Sequence, residues 1–187
     1  MPSNKIAVFI DYDNIKINMK TEPPEKLSEI IGYERLKFWL SQIGEIVVVF
    51  IFAPAVTIYA NIEFFYKLGF ISIACPVFRK TKKENPSLLN DPEFKEYEPE
   101  EIISLNTTDE VMIDLAKKII SQMSEITHIC IVSADHHFIP IAQLAKAKGK
   151  KTMIVFSSYN PSRQLLTFAD KNIDGRPMLH FFNPIQN

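Results

Sequence analysis

The stretch Ile6-Ala7-Val8-Phe9-Ile10 runs without a break into Asp11-Tyr12-Asp13-Asn14. Five apolar residues in a row show no in-and-out alternation, so such a strand must be covered on both faces. That is the condition of a strand inside a parallel sheet with helices above and below it. Four more runs share this character, at residues 45–52, 70–77, 128–132 and 152–156. Helix-period segments fill the gaps, at about 33–43, 56–68, 109–123, 138–148 and 162–169. Gly44, Gly69 and Gly149 each stand between a helix and the next strand, where a C-terminal cap is wanted. A sixth run, 178–182, is expected to add an edge strand. Right-handed crossovers then predict a Rossmann-like α/β three-layer sandwich with a parallel sheet in the order 3-2-1-4-5.

One stretch breaks the alternation. Residues 79–108 are polar, hold Pro86, Pro92 and Pro99, and show no sustained periodicity, so they read as a long loop inserted in one domain of 187 residues. With 21 Lys+Arg against 22 Asp+Glu, net charge −1, any contact with nucleic acid must come from a local patch. Cys75 and Cys130 lie far apart in apolar runs and read as buried free thiols. The start lacks the charged and long apolar regions of a signal peptide, and no apolar stretch reaches the roughly 18 residues of a membrane span. A cytoplasmic protein is the expectation.

Ligands of a doubly wound sheet bind beyond the carboxyl ends of its strands, where the order reverses. The first strand ends on Asp11, and the fourth, 128–132, ends on Ser133-Ala134-Asp135-His136-His137. These two strands are neighbours in the expected order, so Asp11 and Asp135 should face one another. Thr107 and Glu110 have capping-box spacing for the helix before the fourth strand, which starts at the same edge. On its wheel, Met112, Leu115, Ala116, Ile119 and Met123 mark the buried side. Asp109 lies within about 60° of that side's centre, while Asp114 points at water. Pro140 fits only the first turn of a helix, which leaves Asp135 in the turn ahead of it. Three converging acids repel one another and call for a cation; an all-oxygen set with no cysteine nearby suits Mg²⁺ or Mn²⁺.

These residues resemble the NYN family, the PIN-like nuclease domains related to LabA and to limkain-type RNA-binding nucleases. The likeness rests on the strand with Asp11-x-x-Asn14, on Thr108-Asp109 opening a helix, and on Ser133-Ala134-Asp135-His136-His137-Phe138-x-Pro140. Lys146-x-x-Gly149-Lys150-Lys151 and Ser162…Leu165…Ala169-Asp170 follow the family's closing pattern. The resemblance covers essentially the whole chain and implies a PIN-like sheet with a divalent-metal ribonuclease site. It assigns Asp11, Asp109 and Asp135 as metal-binding acids and Asn14 as an orienting group. His137 stands where the family has a second Asp, Ala134 where it has Gly, and Asp114 falls five rather than six residues after Asp109. His137 is accordingly a replacement ligand, a general base or a group bonded to the turn backbone.

Arg79, Lys80, Lys82 and Lys83 form the one dense basic run and, with Ser133, are the substrate-binding candidates. His136 and His137 together suggest zinc, but adjacent residues on a helix diverge by about 100° and no cysteine pair accompanies them. Two other functions stay open. Asp11-x-Asp13 also resembles the nucleophile and acid/base pair of haloacid-dehalogenase-like phosphatases, although Ile15 stands where Thr or Val is usual and Asp135 is single where that family has two acids. A degenerate module that binds RNA or a protein is the third. RNA is the expected partner, a membrane is not, and a homodimer is left open.

Overall fold

The computed structural model describes residues 4–18, 26–81, 102–158 and 160–176, with side chains for all of these except 16–18, 26–31, 78–81 and 102–106. The chain runs β1 (Lys5–Asp11), α1 (Tyr12–Asn18), α2 (Lys26–Ser41), β2 (Glu45–Pro54), α3 (Ala55–Lys67), β3 (Ile71–Cys75) and β4 (Val77–Thr81). It continues with β5 (Ile102–Asn106), α4 (Thr108–Gln122), β6 (His128–Val132), a 3₁₀ turn (His136–Phe138), α5 (Ile139–Ala147), β7 (Lys151–Phe156), α6 (Arg163–Leu166) and β8 (Lys171–Asp174).

The main sheet has six strands in the order β3-β2-β1-β6-β7-β8, all parallel. Its first five strands are those read from the sequence, in the expected order. β1 is central because its residues are apolar on both faces. Val8 and Ile10 pack with Tyr33, Leu36 and Leu40 of α2 and with Phe65 of α3 on one side. Ala7 and Phe9 pack with Met112 and Ala116 of α4 and with Ile141 of α5 on the other. Each layer buries a helix stripe against the sheet, which is the main source of stability in such a fold.

The sixth strand is β8, preceding the run at 178–182, which lies outside the described residues. Part of the stretch 79–108 is not loop: β5 pairs antiparallel with β4, Val77 opposite Asn106 and Thr81 opposite Ile102. Gly69 and Gly149 take positive φ, 70° and 68°, as helix-ending caps. Gly44 serves differently. A Cβ there would stand 2.3 Å from the Asn4 carbonyl oxygen, so the position demands a close approach and not a left-handed turn. Cys75 and Cys130 are both free and buried, and burial pushes their thiols up to about 11 and about 12. Among the described residues no helix is long and apolar enough to cross a membrane.

Candidate metal centre

The carboxyl edge of the sheet brings together the ends of β1 and β6 and the start of α4. Asp11, the last residue of β1, is only 4% exposed. The chain enters α1 at once, and that turn aims the Asn14 N–H at Asp11 Oδ1 (3.2 Å). Asp11 Oδ2 accepts the Ser133 hydroxyl (3.1 Å), and Ser133 Oγ in turn accepts the Asp135 N–H (3.2 Å). Asn14 Oδ1 accepts the Ala134 N–H (3.1 Å). The turn after β6 is thereby fastened to the turn after β1. Alternation along the two strands explains why: Asp11 follows Phe9 and Ser133 follows Ile131, all on the face that α4 covers.

Asp135 is the N-cap of the 3₁₀ turn, its Oδ1 accepting the His137 N–H at 3.0 Å. The sequence places it in the turn ahead of α5, and the extra turn gives it a cap to make. Pro140 sits in the first turn of α5 as expected. His137 Nδ1 lies 2.9 Å from Asp109 Oδ2 and 3.2 Å from Asp135 Oδ1, so one imidazole spans the two acids. His136 Nδ1 lies 3.1 Å from the same Asp135 oxygen, and the two rings are 4.2 Å apart. The histidines therefore converge, contrary to the divergence expected of neighbours on a helix. Spacing around an axis fixes the Cβ directions only, and both rings fold back onto one carboxylate. Among the described residues, Asp135, His136 and His137 are the set whose ligand atoms all lie within 4.8 Å of one another. Asp11 and Asp109 both lie outside that set; Asp109 meets it at His137, and Asp11 joins it through Ser133.

The electrostatics are those of acids short of a counter-charge. Burial pushes the Asp11 carboxyl up to about 7; the bonds from Asn14 and Ser133 oppose the rise, and the charges of Asp109 and Asp13 add to it. Asp109 is also raised, first by burial and then by the charge of Asp135, with His137 opposing. Among the described residues no Lys or Arg ion-pairs with Asp11, Asp109 or Asp135. A carboxylate–imidazole group of this kind fits a divalent cation, which would hold the acids ionised.

Several expected residues fall elsewhere. Ser133 is 1% exposed with its hydroxyl engaged, which places it with the carboxylates instead of with a substrate. Thr107 precedes α4, but its hydroxyl donates to the Pro76 carbonyl (2.7 Å) and makes no cap bond. The capping-box spacing is present, and a carbonyl 31 residues away takes the donor. Arg79 and Lys80 lie on β4, and Lys82 and Lys83 lie outside the described residues. Asp114 is exposed, as its place on the wheel requires. His136 had no assigned role in the sequence; the signal was its place between an acid at a strand end and a second histidine.

A family model described as the NYN domain matches residues 5–179, nearly the whole chain. The chain belongs to the NYN domain family. An NYN domain implies a PIN-like nuclease fold, in keeping with the sheet order seen here. No curated protein matches the sequence of this NYN domain. Among solved structures it is similar to a protein of unknown function from Vibrio parahaemolyticus, at 16% identity and a TM-score of 0.64. The alignment covers 92% of this chain and 93% of the other, a likeness of fold over nearly the full length of both.

Proposed function

We propose that this NYN domain is a metal-dependent ribonuclease that hydrolyses RNA phosphodiester bonds, with Asp11, Asp109 and Asp135 holding Mg²⁺ or Mn²⁺. The observation that carries the reading is the linked set Asp11–Ser133–Asp135–His137–Asp109 at the carboxyl edge of the sheet, with no Lys or Arg paired to its acids among the described residues. When bound, the cation supplies Lewis acidity toward a phosphoryl oxygen and water. The protein's own groups do the positioning. Ser133 fixes the rotamer of Asp11, and Asn14 holds the 133–135 turn that presents Asp135. His137 sets its imidazole between the Asp109 and Asp135 carboxylates, and its half-exposed side chain would serve a reacting group as a general base.

His137 also favours a second reading, a non-catalytic module that binds RNA or protein. The imidazole lying between Asp109 and Asp135 occupies the space in which a cation would bridge the two acids. Phosphoryl transfer to Asp11 finds no such support, because both its oxygens accept hydrogen bonds and it is buried.

The test is cleavage of a labelled single-stranded RNA by the purified chain with Mg²⁺, with Mn²⁺ and with chelator. The ribonuclease reading expects cleavage with metal alone, abolished in Asp109→Asn and Asp135→Asn. Cleavage that survives chelator or either substitution refutes the assignment. RNA bound but left intact with every divalent ion favours the second reading.

A further inference from the structure

Helix α3 is apolar on two opposite sides. Ile58, Phe64 and Phe65 face the sheet, at 3%, 6% and 0% exposure. Val56, Tyr59, Ile62 and Tyr66 stand on the other side, at 74%, 74%, 50% and 81%. At 100° per residue those four fall within an arc of about 120°, roughly opposite the buried one. An apolar helix side of this width is ordinarily covered, and here it is interrupted by Glu63, which pairs with Lys67. Ile62, Glu63 and Tyr66 also form one wall of a shallow groove whose other wall is Phe70 and Ser72, beside β3 at the edge of the main sheet.

We propose that this face is a two-fold interface between two copies of the chain, with α3 packed antiparallel against α3 of the second copy. Charge selects the occupant. The only charged residues of α3 are Glu63 and Lys67, and they pair with each other at 2.7 Å, so the stripe offers a phosphate backbone or a charged peptide no free cation of its own. Glu63 lies within the stripe, but Lys67 of the same copy meets its charge, so two stripes can face one another with the acid already balanced. With the axis between Ile62 and Glu63, Tyr59 of one copy falls opposite Tyr66 of the other.

Area agrees with this choice. Tyrosines as exposed as Tyr59 and Tyr66 present about 150–200 Å² each, and Val56 and Ile62 bring the stripe to on the order of 500 Å². Two copies then bury about 1,000 Å², the size at which specific interfaces begin. A dimer that dissociates on dilution follows. Since α3 starts at the carboxyl edge of the sheet, the antiparallel pairing sets the two candidate metal centres at opposite ends.

The experiment is sedimentation velocity of the full chain over a series from low to high micromolar concentration. The native chain is expected to pass from monomer to dimer, and Tyr66→Glu to weaken that association roughly tenfold or more. Tyr66 is so exposed that the thermal midpoint should hold. Phe38→Ser, at a 69% exposed aromatic on α2, is the control that leaves the dimer intact. Ile62→Cys keeps the proposal testable should Tyr66→Glu fail to fold: mild oxidation should give a disulfide-linked dimer, since Cys75 and Cys130 are buried. A chain monomeric at every concentration overturns the proposal. So does a dimer indifferent to Tyr66→Glu, or a monomer in which Tyr66→Glu weakens RNA binding instead.

Discussion

Replacing Asp11 by Asn should stabilise the metal-free protein at high pH and weaken it at low pH. The Asp11 carboxyl goes from 3.8 to about 7 on folding, chiefly through burial. Below pH 3.8 the group is neutral in both states and costs nothing. Between 3.8 and about 7 the folded protein keeps a proton that the unfolded chain has lost, so stability falls as pH rises. Above about 7 the loss is complete, and at about 1.4 kcal/mol per pH unit it comes to about 4 kcal/mol. Asparagine removes that cost but offers one accepting oxygen where Asp11 uses two, for Asn14 N–H and for Ser133, a loss of about 1 kcal/mol. The net gain at pH 8 is about 3 kcal/mol, or about 6–12 °C in thermal midpoint for a chain of this length. At pH 3, where the carboxyl is neutral in both states, the same substitution should lower the midpoint by about 2–4 °C. Scanning calorimetry in chelator at both pH values reads the reversal of sign. A variant less stable than the native protein at both would refute the reasoning and make Asp11 a structural hydrogen-bond acceptor.

Three further outcomes are expected. His137→Asp puts a hard, charged ligand beside Asp109 and Asp135 in place of imidazole, so calorimetric titration should show tighter Mg²⁺ binding and a smaller preference for Mn²⁺; unchanged affinities would remove His137 from the centre. Asp114→Asn, on the exposed side of α4, should leave cleavage intact and stability within about 0.5 kcal/mol, and a lost activity in kinetic assays would misplace the site. Lys150 is buried and donates to the carbonyls of Met123 (2.9 Å) and Ile126 (2.6 Å) beyond the end of α4, so Lys150→Met should cost about 2–3 kcal/mol in denaturant unfolding, whereas a neutral result would show those carbonyls satisfied by water.

The strands were legible where burial on both faces leaves an unbroken apolar run, as in Ile6–Ile10 and His128–Val132. Their parallel order then carried Asp11 and Asp135 to one edge, and the wheel of α4 turned Asp109 toward it. What escaped was short or non-local. α1 has seven residues and begins directly after a strand, too brief for a period to register. β5 depends on β4, some twenty residues earlier, and Ile102-Ile103-Ser104-Leu105-Asn106 has little signature without that partner. Thr107 has the local spacing of a cap, but only the folded chain brings Pro76 within reach of its hydroxyl. The pairing of His136 and His137 depends on rotamers set by Asp135, which periodicity does not encode.

The central claim, a cation held by acids at the carboxyl edge of the sheet, is tested most directly by anomalous diffraction from crystals soaked in Mn²⁺. The account predicts a manganese peak within about 2.0–2.6 Å of oxygens from Asp11, Asp109 and Asp135. A soaked crystal with no anomalous peak among these residues, His137 still bridging Asp109 and Asp135, would contradict it.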